Sequence, residues 1–337
     1  MVNWRRVVVA IVAFAMAIAI PSPATSTLSP VPAAGVGGRV PATAWVTTED
    51  LELRLSGQPP PQPGTAGNAT WRLKIDDTTA GRRQPVTGFG AAWTDATVFA
   101  FDRLSKAAQD TLLAELFDAT GRGIGLRLMR HTIGQSDLTP ALIGEWSYDD
   151  NGGADDYPGL AHFNLTEPGR RVVGWISRMQ TMNPNGITLI GSPWSPPQWM
   201  KASPGKRGQD ANTLDLAMPG TADAWVQYMV KYLQAFELAG VAVAAMTMQN
   251  EPLHAADPAW TMYMDAKTQA ALAPKLAAAI RAAGLATEIW AYDHNTDHPE
   301  YPQAVLDGSN GTVRSVAWYV RAHLWPGLVF VLLININ

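Results

Sequence analysis

Residues Val243-Ala-Ala-Met-Thr-Met-Gln-Asn-Glu-Pro252 pass from a run that is apolar but for Thr247 directly into a polar triplet closed by proline. An apolar run this short, bounded by a turn signal, reads as a strand buried on both faces. The amide and the carboxyl of the triplet then lie where a strand gives way to its loop, which in a parallel α/β barrel is the rim at which chemistry is done.

Outward from this segment, short β-rich runs alternate with longer helical ones. The expected strands are Gly88–Trp93, Ile124–Arg130, Thr188–Pro193, Val243–Gln249, Glu288–Tyr292 and Ser315–Trp318. Strand–helix alternation is the pattern of βαβ units on a parallel sheet. The intervening helices carry their own punctuation. Ser105 precedes a stripe of Leu112, Leu113, Leu116 and Phe117; Thr221 is placed to cap a helix whose Trp225, Tyr228, Tyr232, Leu233 and Phe236 share a face before Gly240; and alanine-rich Leu272–Ala283 stops at Gly284.

The ends of the chain read differently. Arg5 and Arg6 followed by the uncharged run Val7–Ile20 and small residues to Ser26 have the form of an export signal over 1–26, implying a secreted protein; a membrane anchor is the alternative, but the run is shorter than the roughly 20 residues a span requires. Residues 27–43 are a Pro/Ala/Gly-rich linker. Within 44–80, alternating Ala44–Leu55 and Thr70–Asp76 are expected strands, separated by proline-rich Gly57–Asn68. The barrel itself is expected over 81–318, and 319–337 form a hydrophobic tail unlike the rest, whose uncharged Leu328–Ile336 has an aggregation-prone composition.

Composition narrows the function. With 47% hydrophobic residues the chain can bury a sizeable core, and 13 tryptophans supply flat stacking surface for sugars or aromatic ligands. The absence of cysteine excludes a disulfide scaffold, a thiolate nucleophile and cysteine-held metals. A net charge of −4 offers no basic excess for neutralising phosphates, so nucleic acid is not an expected partner.

The tails of the expected strands concentrate the polar groups: Arg130–His131 followed by Gln135–Ser136–Asp137, Ser192 through Lys201, Gln249–Pro252, and Tyr292 through Asn295. A glutamic acid beside an asparagine at a barrel mouth suits glycoside hydrolysis, the acid protonating the leaving oxygen and the amide holding a sugar hydroxyl. A bare Asn-Glu-Pro anywhere in a protein is more often an exposed turn; its place at the end of a buried strand, among tryptophan-flanked loops, favours the chemistry. His131 and His294 lack a third ligand at metal spacing and are expected either behind the contacting residues or at the rim, without a metal.

Three blocks, Gly88-Phe-Gly-Ala-Ala-Trp-Thr-Asp-Ala96, Ser192-Pro-Trp-Ser-Pro-Pro-Gln-Trp-Met-Lys201 and Thr247-Met-Gln-Asn-Glu-Pro252, resemble the signature segments of glycoside hydrolase family 30, in family order. The resemblance extends from about Thr70 to Trp318. It implies a (β/α)8 TIM barrel joined to a β-sandwich built partly from strands preceding the barrel, here Ala44–Leu55 and Thr70–Asp76, and a secreted retaining β-glycosidase acting on a β-linked glycan or glycolipid, as the family's glucosylceramidases and β-1,6-glucanases do. No cofactor or metal is implied, and no membrane span in the mature chain. By matching motif, Glu251 corresponds to the acid/base and Asn250 to the partner of the 2-hydroxyl. Arg130, Asp137 and Trp194 match residues lining the sugar subsite, and Asp293 falls where the family also lines its pocket. Each has a plainer reading: Arg130 as a structural ion-pair partner, Trp194 as a core aromatic, Asp137 as a loop cap.

The family's nucleophile is a glutamate ending the seventh barrel strand, and the expected strands here number six, an incomplete barrel suggesting a truncated or frame-shifted sequence. Asp293 is the carboxylate at the right rim to stand in for it; Glu288 starts its strand at the barrel bottom, and Glu300 sits in an expected loop between Pro299 and Pro302. The chain as written is therefore expected to be inactive, with a catalytically dead glycan-binding fragment as the alternative function and an unstable open barrel as a third outcome.

Overall fold

The computed structural model describes residues 44–48, 50–54, 56–59, 78–82, 86–121, 123–153, 159–183, 185–203, 212–257 and 260–319. The expected export signal, the linker, the strand at Thr70–Asp76 and the tail beyond residue 319 lie outside them. The chain separates into two compact units, Met1–Arg83 and Gln84–Asn337.

In the first unit β1 (Ala44–Val46) pairs antiparallel with β2 (Ser56–Gln58), Trp45 opposite Gly57. Of the single strand expected over Ala44–Leu55, Ala44–Val46 form the first arm of this hairpin and described residues after them belong to its connection. Short polar side chains capture the backbone and reverse it: Thr48 N donates to Leu53 O and Leu53 N to Thr48 Oγ1, both at 3.0 Å, and Glu52 N donates to the Asp50 carboxylate at 3.0 Å.

Among the described residues the second unit holds a six-stranded sheet in sequential order: β3 (Gly90–Trp93), β4 (Leu128–Ile133), β5 (Thr188–Pro193), β6 (Ala245–Thr247), β7 (Glu288–Asn295) and β8 (Val313–Tyr319). Every neighbouring pair is parallel. The helices are α1 (Asp95–Phe101), α2 (Lys106–Phe117), α3 (Thr166–Met182), α4 (Thr221–Leu238), α5 (Ala266–Ala282) and α6 (Glu300–Gly308). This is the winding of six consecutive strands of a (β/α)8 barrel. Among the described residues no helix is long and apolar enough to cross a membrane.

All six expected strands form, Thr188–Pro193 with its expected bounds and the other five with shifted ones. The strand expected from Ile124 begins at Leu128, because Ile124 N and Leu126 N donate instead to Glu115 O and Leu116 O and close the end of α2. Ser105 caps α2 as expected, accepting from Ala108 N at 3.3 Å. Thr221 does not cap α4: it is the first helical residue, preceded by Gly220 at φ 91°. Helix α5 starts six residues before Leu272, where Asp265 accepts from Thr268 N at 2.7 Å. Glu300 opens α6 rather than lying in a loop, since a proline in the first helical turn lacks only an N–H that has no helical partner there. Helices α1 and α3 were not among the expected elements.

Strand alternation sorts the side chains into two populations. Ile190, Ala245, Trp290 and Ala317, with Leu128, form a small cluster of their own. Met129, Leu189, Met246, Ile289 and Ala291 point the other way and join the helices in the main core. Two residues further along the first set come Arg130, Ser192 and Thr247, all buried, so an apolar layer inside the barrel is succeeded by a polar one toward the rim.

His131 belongs to the outward population, behind the sheet and away from the rim. Its Nε2 lies 2.6 Å from the Tyr232 hydroxyl and its ring stacks on Phe236 at 4.8 Å, joining β4 to α4. Gly191 makes the contact possible, because a Cβ there would stand 2.3 Å from that hydroxyl. Full burial pushes the imidazole pKa down to about 3, whereas in the unfolded chain it sits near 6.5. His131 thus contributes stability at neutral pH that is lost as pH falls from about 6.5 toward 3, with a slope of up to about 1.4 kcal/mol per pH unit. Denaturant unfolding across that range should show a shallower acid decline in His131→Gln than in the parent chain; superimposable slopes would contradict the assignment.

Candidate active site

The apolar run opening the site leaves the sheet after Thr247 and is caught between two neighbours. Asn250 N donates to Pro193 O at 2.7 Å, at the end of β5, and Glu251 N donates to Asp293 O at 2.9 Å, near the end of β7. Glu251 is held at φ 43°, a left-handed conformation costing a non-glycine residue roughly 1 kcal/mol or more. Hydrogen bonds from the adjoining strand ends fix the turn that presents its carboxyl.

Beneath this turn Arg130 organises the polar layer. Its Nη2 lies 2.7 Å from Asn250 Oδ1, 2.8 Å from Asp293 Oδ2 and 3.0 Å from Ser192 Oγ. Asp293 Oδ2 also accepts from Thr247 Oγ1 at 2.7 Å and from the Ser192 hydroxyl. Four strands therefore meet at one buried ion pair. Because Arg130 holds Asn250 Oδ1, the orientation of the amide is set and its Nδ2 lies on the opposite side.

Asp293 reaches this position through an irregularity in β7. Tyr292 and Asp293 have φ of 77° and 65°, and the pairing with β8 passes from Tyr292 to His294 without Asp293. Strict alternation from Trp290 would turn Tyr292 inward and Asp293 outward. The bulge reverses the pair: Tyr292 packs against Tyr301 with ring centroids 4.9 Å apart, and Asp293 turns in to Arg130. Asp293 was expected at the rim, lining the pocket, and was the one candidate to replace a missing nucleophile. It has no exposed surface and is instead the partner of Arg130.

Trp194 Nε1 donates to Asp137 Oδ1 at 3.0 Å, and Gln249 Nε2 donates to Trp194 O at 2.6 Å. The Arg130 guanidinium sits 4.5 Å over the Trp194 ring. Asp137 is exposed, but Trp194 is only 9% exposed and so is more deeply set than an open rim aromatic. The six singled-out residues therefore form one connected group: Asn250, Asp293 and Trp194 touch Arg130, Asp137 touches Trp194, and Glu251 is bonded through its backbone to Asp293. Burial raises the Glu251 pKa; His254 opposes the rise, the nearby Asp137 and Asp293 charges add to it, and Arg130 opposes it. His294 is partly buried, its Nδ1 3.3 Å from the Tyr292 hydroxyl. Among the described residues no group of three His, Asp or Glu is placed to hold a metal.

Several working parts escaped the sequence reading. Ser192, Thr247 and Gln249 stand inside quoted motifs but acquire roles only when strands become neighbours. Asp95 is the most consequential: a buried carboxylate that accepts from Thr139 Oγ1 at 2.7 Å and Trp146 Nε1 at 3.0 Å, so it holds the loop carrying Asp137. Its burial raises its pKa. A lone acid in the otherwise uncharged segment Ala91–Phe101 was the available signal.

Residues 86–312 match the model of the glycosyl hydrolase family 30 TIM-barrel domain. An endo-1,6-beta-D-glucanase of Neurospora crassa is 42% identical over 294 residues, covering 85% of this chain and 59% of that protein. The endo-1,6-beta-D-glucanase BGN16.3 of Trichoderma harzianum is 46% identical over 268 residues, covering 77% and 53%. The mouse lysosomal acid glucosylceramidase is 31% identical over 172 residues, covering 50% and 31%. The chain thus spans little more than half the length of the glucanases. A solved endo-beta1,6-glucanase structure superposes with a TM-score of 0.65 at 24% identity, covering 83% of this chain and 60% of that one, a likeness of fold.

Removing one partner of a buried ion pair strands the other's charge, at a cost of about 3–5 kcal/mol, whereas replacing both with apolar groups is often close to neutral. Asp293→Leu should therefore destabilise the chain by several kcal/mol in denaturant unfolding, and adding Arg130→Met should recover most of the loss. Additive losses in the double variant would contradict the ion-pair account.

Proposed function

The chain belongs to glycosyl hydrolase family 30, and on that premise we propose that it is built to act on β-linked glucose, with β-1,6-glucan as substrate class and Glu251 as the proton donor. One observation carries the assignment of roles: Glu251 is partly buried with a raised pKa, beside an asparagine whose amide Arg130 holds in place. A general acid must keep its proton until the leaving oxygen needs it, which a raised carboxyl pKa provides, and an oriented amide opposite a sugar hydroxyl sets which oxygen it meets. The preference for β-1,6-glucan over a glycolipid rests on the higher identity and longer coverage of the fungal endo-1,6-beta-D-glucanases compared with the mouse glucosylceramidase. Residues 1–26, read as an export signal, support action outside the cell.

Retaining hydrolysis also needs a carboxylate about 5–5.5 Å from the acid, forming the glycosyl-enzyme bond as the acid protonates the leaving oxygen. Asp293 is unsuited to this: it is buried and accepts from Arg130, Ser192 and Thr247. The family resemblance assigns the nucleophile to a seventh strand.

A form of the protein carrying a seventh-strand carboxylate tests the acid. Glu251→Gln in that form should lose most of its activity, about 100-fold or more, on glucosides with poor leaving groups, and far less on activated aryl glucosides. Activity of the parent should fall as pH rises through the elevated Glu251 pKa, and this limb should vanish in the variant. Equal losses on both substrates with an unchanged pH profile would contradict the assignment.

A further inference from the structure

A cavity of about 420 Å³ opens between the loops following β4 and β5, lined by Gln135, Glu145, Asp150, Pro196, Gln198 and Trp199 among others. It takes no part in the site described above, yet it is built from the same two loops. Gln135 stands two residues before Asp137, and Pro196 two residues after Trp194. Because both loops leave the C-terminal ends of their strands, the cavity lies at the barrel mouth.

Its chemistry is that of a sugar site. Trp199 is partly exposed, and its Nε1 donates to Asp149 O at 3.0 Å, which fixes the ring. The loop backbone is braced as well: Trp146 N donates to Gln135 Oε1 at 2.8 Å, and Ser147 N to Asp150 Oδ2 at 2.8 Å. A fixed indole framed by carboxamides and carboxylates suits a pyranose, which offers an apolar face for stacking and a ring of hydroxyls for hydrogen bonding. The carboxylates Glu145 and Asp150 are poor company for an acyl chain, since burying a charge against apolar surface is costly.

The geometry points to a second glucosyl subsite in this cavity, holding a neighbouring ring of a β-1,6-linked glucan while Trp194, Asp137 and Asn250 hold the ring at Glu251. This inference rests on the proposed function. It makes Trp199 and Gln198 determinants of chain-length preference, with no part in proton transfer.

Titration calorimetry on the full chain with methyl β-glucoside, gentiotriose and octyl β-glucoside tests it. Gentiotriose should bind more tightly than the monosaccharide; Trp199→Ala should weaken gentiotriose about five- to tenfold, the range of one aromatic contact, and leave methyl β-glucoside unchanged. Gln198→Ala, a change at the cavity edge, should act the same way to a smaller extent, and thermal melts should show that both variants fold. If methyl β-glucoside binds and Trp194→Ala abolishes that binding, but gentiotriose binds no better and neither cavity variant alters it, the subsite is wrong and the proposed function stands. If the variants weaken octyl β-glucoside alone, the cavity takes an apolar aglycone and the sugar assignment is overturned. Absence of binding by all three ligands would overturn both readings.

Discussion

The ion pair between Arg130 and Asp293, buried inside the barrel, is the interaction on which the site depends. Taking two charges out of water costs several kcal/mol per ion, and the pair is tolerable only because Ser192, Thr247 and Asn250 supply further hydrogen bonds. Those partners come from β5, β6 and the loop after β6, so satisfying the charge also aligns the strand ends. The candidate binding groups sit directly on this layer: Asn250 is held by it, and the Trp194 ring lies against the guanidinium.

Backbone conformation is the second constraint. Glu251, Tyr292 and Asp293 all have positive φ, and Glu251 N bonds to Asp293 O, so the three departures meet at one point. A regular β7 would present Tyr292 to the barrel interior and leave Arg130 without its counter-charge. The bulge avoids this, and its carbonyl anchors the turn of the candidate acid. Behind the sheet, the His131–Tyr232 contact fastens β4 to α4 and so holds the strand that carries Arg130.

Much of this was legible in the sequence, and the divisions are physical. Apolar runs ending in polar triplets disclosed the strands and the rim, because buried parallel strands are apolar throughout and working loops are not. Motif resemblance brought Glu251, Asn250, Arg130, Asp137, Trp194 and Asp293 together, and the structure does assemble them. The side of the sheet was less accessible. His131, expected behind the contacting residues or at the rim, faces the helices by alternation, and Asp293, expected at the rim, turns inward only through a bulge that composition does not announce. Helix α6 was hidden by its prolines, and α3 was not singled out. Asp95 acts across 44 residues on Thr139, a pairing that local pattern cannot reveal.

A crystal structure of the chain with gentiobiose bound measures the central claim most directly. The account predicts a glucosyl ring beside Trp194, its 2-hydroxyl on Asn250, the glycosidic oxygen about 2.6–3.2 Å from the Glu251 carboxyl, and Arg130 still paired with Asp293 beneath it. A sugar bound away from Asn250 and Glu251, or an Arg130 that abandons Asp293 for the ligand, would contradict it.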